Sequence, residues 1–157
     1  NSIGGQGCLW TEFVSNGRHA EYMTWPRALA LAEVLWSPKT ERNWPDFTRR
    51  VEWQFKYLDA AQVKYASGIY DPIIDMVRDR DDSLKVTLEA EITGLDIYYS
   101  FDGTNPDSFY PEYTGAPLSI PKGATEIRVI TYRDGKPIGR RVNGSLEVLM
   151  KKMKKKG

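Results

Sequence analysis

The amino-acid sequence predicts an α+β protein in which a helical part precedes a part built of short strands. Apolar residues recur at three- and four-residue spacing before Ser67-Gly68 and at two-residue spacing after it, which are the periods of helices and strands. Turns rich in Gly and Pro become frequent in the second part, as between the strands of an antiparallel sheet. We therefore expect two domains, residues 1–66 and 67–150.

The first part is predicted to contain a strand that ends near Glu12, followed by two helices. The first helix should run from about Pro26 to Trp36, with Thr24 as its N-cap and Pro38 ending it. This helix is apolar on almost every side, which is typical of a helix that is covered on several sides. A larger protein is therefore expected around it.

The second helix is predicted to begin near Asn43-Trp44-Pro45. Its apolar residues lie at helical spacing and form a stripe along one side, so one face should pack while the other meets water. The residues of this stripe are Phe47, Val51, Phe55 and Leu58.

The second part is predicted to be a small antiparallel β-sandwich. Apolar and polar residues alternate from 85 to 92, the pattern of a half-buried strand. Residues 97–101 and 127–132 resemble further strands, and residues 145–150 would supply a last one. Asp134-Gly135 favours a two-residue hairpin turn, because Gly accepts the positive φ that such turns need. Short strands with frequent turns are typical of sandwiches.

Composition argues against several classes of partner and cofactor. The chain has 22 Lys and Arg against 21 Asp and Glu, so no overall field attracts nucleic acid or an anionic membrane. Cys8 is the only cysteine and is expected to be a small buried hydrophobe, and no Cys/His cluster has zinc spacing. We expect no cofactor, no metal and no membrane span. The Lys-rich residues 151–157 are expected to be a disordered tail.

Two groups of motifs carry a family resemblance. The run Gly4-Gly5-Gln6-Gly7-Cys8-Leu9-Trp10-Thr11-Glu12-Phe13-Val14, followed by Trp25-Pro26-Arg27 and the apolar helix, resembles the last strand and helix of the catalytic (β/α)8 barrel in family 20 glycoside hydrolases, the β-N-acetylhexosaminidases. Residues 97–106 and 113–118 resemble the C-terminal sandwich domain appended to many of these enzymes. The resemblance implies a terminal strand-helix-helix fragment of the barrel, followed by the sandwich.

The family resemblance also implies a reaction. These enzymes remove terminal N-acetylhexosamine from glycans with retention, and the acetamido oxygen of the sugar itself attacks the anomeric carbon. The implied machinery is an adjacent Asp-Glu pair, but this chain contains no Asp-Glu dipeptide. Asp81-Asp82 is the nearest imitation and is expected to be a solvated turn. We therefore assign no catalytic residue here, and expect the chain alone to be inactive.

Trp10 and Glu12 are the candidate substrate-binding residues. In a strand they would share a face near its C-terminal end, where barrel enzymes gather their functional groups. An indole can lie against the apolar face of a pyranose while a carboxylate accepts hydrogen bonds from its hydroxyls. The resemblance implies a Trp wall and a Glu that binds the outer hydroxyls. The alternatives are a core role for Trp10 and, for Glu12, an exposed carboxylate or an ion pair with Arg18 or Arg27.

Other residues give weaker signals. His19 is expected to be structural or on the surface, and Arg27 to hold the barrel end together. The aromatic residues of the sandwich are expected to fill its core or dock it on the barrel, although a glycan-binding platform or a purely structural module remains open. The implied partners are a glycan containing N-acetylhexosamine and an upstream catalytic barrel, in a secreted or periplasmic protein. The sandwich aromatic residues are Tyr98, Phe109, Tyr110 and Tyr113.

Overall fold

The computed structural model describes residues 4–156, with side chains through residue 153. The chain divides between residues 67 and 68 into two compact units. The first unit is helical, and the second contains two antiparallel sheets and one helix. The predicted α+β class is therefore confirmed.

The first unit consists of a short 3-10 turn followed by three helices. The turn leads into α1, whose N-cap Asn16 accepts a hydrogen bond from the backbone N–H of His19 at 2.9 Å. Asn43 caps α3 in the same way, accepting from the N–H of Asp46 at 3.0 Å. The elements are the 3-10 turn Thr11–Phe13, α1 Gly17–Thr24, α2 Arg27–Trp36 and α3 Trp44–Ala60.

The predicted strand near the beginning of the chain is wrong for the described residues. Residues 4–10 have no regular secondary structure, and Thr11–Phe13 form the 3-10 turn. A strand exists only when a neighbouring strand pairs with it, and the described part of the first unit, residues 4–67, contains no other strand. Residues 1–3, which the prediction also covered, lie outside the described residues.

The glycines of this segment approach α2 closely. A Cβ added to Gly5 would lie 2.9 Å from Cδ2 of Leu35, and one added to Gly7 would lie 3.1 Å from Cδ2 of Leu31. The segment therefore lies directly against α2. A side chain at either glycine would push the segment away from this helix.

The predicted helix at 26–36 is confirmed as α2, but its N-cap differs. Pro26 occupies the N-cap position, and Thr24 is the last residue of α1. The hydroxyl of Thr24 donates to the carbonyl of Ala20 at 2.8 Å and is therefore used within α1. The sequence did not predict α1, because α1 has no buried residue and hence no apolar stripe to signal it.

Helices α2 and α3 are joined by charged side chains. Arg50 binds the carboxylate of Glu33 through two hydrogen bonds of 2.8 and 3.0 Å, and binds Asp46 at 2.8 Å. The predicted apolar stripe of α3 is buried at Val51 and Phe55, as it is at Phe47. In contrast, no residue of α2 is buried, and its apolar side chains include Val34 at 53% and Trp36 at 86% exposure.

The second unit contains seven strands in two antiparallel sheets. The three-stranded sheet has the order β1-β2-β4, and in the four-stranded sheet β5 pairs with β3, β6 and β7. The first strand, β1, was not predicted, because Ile73 and Val77 place apolar side chains on the more exposed face and blur the alternation. The strands are β1 Pro72–Arg78, β2 Leu84–Ala90, β3 Asp96–Ser100, β4 Leu118–Ser119, β5 Glu126–Arg133, β6 Lys136–Pro137 and β7 Val142–Ser145.

One buried cluster joins both sheets and the last helix of this unit. Val86 and Leu88 of β2 are almost fully buried, which confirms the predicted alternation of that strand. Asp134 and Gly135 have φ values of 51° and 70° between β5 and β6, which confirms the predicted two-residue hairpin turn. The cluster comprises Met76, Val86, Leu88, Ile97, Ile127, Val129, Leu146 and Leu149.

The predicted last strand at 145–150 is wrong, and the segment expected to be a disordered tail is helical as far as Lys156. The strand β7 ends at Ser145, and α4 spans Leu146–Lys156. Leu146 and Leu149 are three residues apart, so a helix brings both into the core. Lys is a good helix former and is favoured near a helix C-terminus, so the Lys-rich segment can extend the anchored helix. Gly157 lies outside the described residues.

A substitution at Gly139 should destabilise the second unit. A Cβ there would overlap the hydroxyl of Thr131 and the carbonyl of Tyr70, which are hydrogen-bonded to each other at 2.5 Å. Because Thr131 is fully buried, neither group can move away freely. We expect Gly139→Ala to lower the free energy of unfolding by about 2 kcal/mol or more, as measured by urea titration.

Gly68→Ala is the matched control for that experiment. Its added Cβ would meet Asp71 at 3.6 Å and Arg140 at 3.8 Å, which are ordinary contact distances. This variant should unfold at nearly the wild-type urea concentration. Equal midpoints for the two variants would contradict the proposed overlap.

The ion pairs between α2 and α3 predict acid sensitivity. Hydrogen bonding by Arg50 holds the pKa of Glu33 below its ordinary 4.5, and hydrogen bonds from Arg49 and then Arg50 lower the pKa of Asp46. As the pH falls, these two carboxylates take up protons at a higher pH in the unfolded chain than in the folded chain. The stabilisation by the ion pairs is therefore fully present above the ordinary pKa values, and it is lost as the pH falls through the lowered pKa values of the folded chain.

We expect Glu33→Gln to be less stable than wild type near neutral pH and to lose less stability between about pH 6 and about pH 3. Urea unfolding followed by circular dichroism at several pH values measures both effects. Glu41→Gln, a change at an exposed residue of the loop before α3, should keep the wild-type pH dependence. The same pH dependence in Glu33→Gln as in wild type would exclude Glu33 as a source of the effect.

Candidate functional site

The 3-10 turn presents the two candidate residues to solvent. Trp10 immediately precedes the turn, and its side chain is 79% exposed. Glu12 lies within the turn and is also exposed, and the next residue, Phe13, is 87% exposed. The core role considered for Trp10 therefore does not hold in the described structure. Along the chain, the carboxylate of Glu12 therefore lies between two exposed aromatic side chains, those of Trp10 and Phe13.

The turn replaces the strand that was expected to carry Trp10 and Glu12. Strand alternation, which was the argument for placing them on one face, therefore does not apply here. Their sugar-binding role stays a prediction. Sequence reasoning did not single out Phe13, although an aromatic residue directly beside a candidate carboxylate was a visible signal.

The two arginines considered as partners of Glu12 bind other groups. Arg18 forms an ion pair with Glu21 at 3.3 Å and donates to the carbonyl of Gln62. Arg27 donates to the carbonyls of Tyr22 and Met23, at 3.2 and 3.0 Å. These carbonyls lie at the end of α1, where a helix leaves its last carbonyls without helical partners. Arg27 therefore caps α1 from the first turn of α2.

Asp81 and Asp82 occupy an exposed turn between β1 and β2, as predicted. Asp82 has a φ of 64° and forms an ion pair with Arg78 at 2.7 Å. Hydrogen bonds from the hydroxyl and the backbone N–H of Ser83 lower the pKa of Asp81. A general acid needs a raised pKa, so this environment opposes catalysis at Asp81.

The single histidine and the single cysteine lie in the first unit. His19 is half-buried in the first turn of α1. Cys8 is exposed, which corrects the expectation that it is buried, because the segment that contains it is not a strand within a sheet. Among residues 4–156, no group of three His, Cys, Asp or Glu side chains is arranged to hold a metal ion.

The aromatic residues of the second unit do not form one open platform. Tyr113 packs against the buried cluster, and Tyr98 meets Tyr132 edge-on with 5.2 Å between ring centroids. The hydroxyl of Tyr110 is 2.6 Å from that of Thr104. Phe109 is the exception, at 95% exposure.

Two family models match parts of the chain. Residues 1–39 match the glycosyl hydrolase family 20 catalytic domain, and residues 86–146 match the Fn3 associated model. The first match contains Trp10, Glu12 and the whole of α2. The part of the chain that contains Trp10 and Glu12 is therefore similar to glycosyl hydrolase family 20. The second match covers most of the strands of the second unit.

The curated proteins that this chain is similar to include several hexosaminidases. A β-hexosaminidase of Porphyromonas gingivalis is 28% identical over 135 residues, covering 82% of this chain and 17% of that protein. The β-hexosaminidase subunit β of Mus musculus is 55% identical over 38 residues, which are 24% of this chain and 7% of that protein. A β-N-acetylhexosaminidase of Cellulomonas fimi is 35% identical over 57 residues, 36% of this chain and 12% of that protein. The chain thus spans less than a fifth of the length of each of these relatives.

No helix within residues 4–156 combines the length and the apolar character required to cross a bilayer.

Proposed function

We propose that this chain is the C-terminal segment of a β-N-acetylhexosaminidase and that Trp10 and Glu12 line its pocket for the terminal sugar. One observation carries the proposal: an open indole and an open carboxylate lie two residues apart within the segment that matches the catalytic domain. In the intact enzyme, the indole covers the apolar face of the N-acetylhexosamine, and the carboxylate accepts hydrogen bonds from its outer hydroxyls.

The apolar surface of α2 supports assignment of the first unit to a (β/α)8 barrel. Leu31, Val34, Leu35 and Trp36 are all exposed, although large apolar side chains normally lie inside a protein. Helices of such a barrel pack on neighbouring strands and helices. We infer that the remainder of the catalytic barrel covers this surface, and that the second unit is the appended β-sandwich domain.

The chemistry is proposed to be retaining and substrate-assisted. The acetamido oxygen of the sugar attacks its anomeric carbon while a general acid protonates the leaving oxygen. The acid and the carboxylate that orients the acetamide form an Asp-Glu pair, and no Asp-Glu dipeptide occurs in these 157 residues. The pair therefore belongs to another part of the enzyme, and this chain contributes to recognition of the sugar.

A binding or bracing module without a role in catalysis is the weaker alternative. Its support is Phe109, a fully open aromatic side chain in the loop between β3 and β4. The other candidate aromatics are half-buried, so a sugar-binding platform there would rest on one ring. We propose a secreted or periplasmic location, on the ground that the glycans processed by such enzymes occur there.

The first test is hydrolysis of a chromogenic N-acetylglucosaminide. We expect no turnover by the purified 157-residue chain, because the general acid is absent from it. In the intact hydrolase, Trp10→Ala and Glu12→Gln should each lower kcat/KM by about tenfold to a hundredfold, through lost stacking and a lost hydrogen bond to a charged group.

Trp53→Ala and Glu41→Gln are the matched controls, since both residues are exposed and lie outside the segment that matches the catalytic domain. Both should leave kcat/KM close to the wild-type value. Turnover by the isolated chain that disappears in Glu12→Gln would mean that Glu12 supplies the acid. Wild-type kinetics in both site variants would refute the proposed pocket.

A further inference from the structure

Helix α1 follows the candidate site in the chain, and it has no fully buried residue. A helix of eight residues is too short to be stable alone in water, so other contacts must fix its position. Burial of an apolar face is the usual source of such contacts. Since the side chains of α1 are at most half-buried, hydrogen bonds and ion pairs are expected to contribute much of the fixing of its position.

Three bonds join α1 and the residue after it to the segment that follows α3. The guanidinium of Arg18 donates to the carbonyl of Gln62. The carboxylate of Glu21 accepts from the backbone N–H of Lys64 at 2.8 Å. The carbonyl of Trp25 accepts from the backbone N–H of Ala66 at 2.9 Å. These bonds link positions more than 40 residues apart in the chain.

Glu21 takes part in two of the polar contacts that orient α1. Its Oε2 accepts both the N–H of Lys64 and, at 3.3 Å, a guanidinium N–H of Arg18. The ion pair therefore also holds Arg18 beside Gln62. Hydrogen bonds to a charged group contribute more than neutral ones, and this carboxylate is partly shielded from water. Loss of Glu21 would weaken both ties at once.

The position of α1 restricts the position of the candidate site. Only residues 14–16 separate the 3-10 turn from α1, and Asn16 is bonded to the first turn of α1 through the N–H of His19. The turn thus has little freedom to move independently of the helix. Trp10 directly precedes that turn and Glu12 lies within it, so both follow the same constraint.

We propose that Glu21 is a positioning residue: through its bonds to Lys64 and Arg18 it fixes α1, and thereby the 3-10 turn that presents Trp10 and Glu12 to the sugar. This inference rests on the proposed sugar-binding role of the turn. Glu21 itself touches no reacting group. It acts by keeping the turn in the conformation that binds, and the apparent affinity of a site falls with the fraction of molecules in that conformation.

Amide hydrogen exchange in the 157-residue chain tests the positioning directly. Glu21→Ala removes the acceptor of the Lys64 N–H, so exchange at Lys64 should become about tenfold faster or more. Exchange should also rise along residues 11–24, which depend on this tie. Glu21→Gln retains an oxygen that can accept the Lys64 N–H and should restore most of the protection.

Glu41→Ala is the matched control, because it removes an exposed carboxylate of the same unit and should leave exchange at residues 11–24 and 64 unchanged. Unaltered exchange at 11–24 in Glu21→Ala would overturn the proposal. Equal exchange in Glu21→Gln and Glu21→Ala would also overturn it, since the hydrogen bond to Lys64 would then not be the cause.

A second measurement separates this inference from the proposed function. Binding of N-acetylglucosamine to the intact hydrolase is followed through the indole N–H signal of Trp10, assigned by its loss in Trp10→Phe. We expect affinity about tenfold weaker in Glu21→Ala and nearly restored in Glu21→Gln. If the sugar leaves the Trp10 signal of the wild type unchanged at any concentration, the pocket assignment fails. The exchange experiment still decides whether Glu21 positions the turn.

Discussion

Helix α2 imposes the main constraint on the first unit, because it is apolar on nearly every side and this chain buries none of its residues. Such a surface is stable in water only when other protein covers it. The glycine-rich segment before the 3-10 turn packs along one side, where Gly5 and Gly7 allow close approach. The apolar surface of α2 that this segment leaves exposed is typical of a helix that belongs to a larger domain.

The two units are stabilised by different means. The second unit has a continuous core from two sheets and α4, with Val86, Ile127 and Val129 fully buried. The first unit has a short apolar stripe on α3, and charged groups supply much of its order. Arg50 joins α3 to α2, and Glu21 ties α1 to the segment after α3. Ion pairs and hydrogen bonds are directional, so they can hold a surface turn in one orientation without burying it.

Sequence patterns were most successful where side-chain burial is periodic. The stripe of α3, the alternation in β2 and the Asp134-Gly135 turn follow from local spacing and from the φ that Gly permits. Sequence patterns failed for the strand expected to end near Glu12 and for helix α4. A strand requires a partner that the local sequence does not name, and Leu146 and Leu149 suited a helix only because the core lay beside them.

The sequence by itself determined the α+β class, the resemblance to family 20, the candidate residues Trp10 and Glu12, and the absence of an Asp-Glu dipeptide, because residue identity and spacing carry this information. Only the tertiary structure revealed that the candidates lie at the start of and within a 3-10 turn, and that Glu21 of α1 binds the backbone N–H of Lys64. Those features arise from contacts between positions more than 40 residues apart and from the lack of a pairing strand within residues 4–67. Local periodicity records neither, since it reports burial along one element at a time.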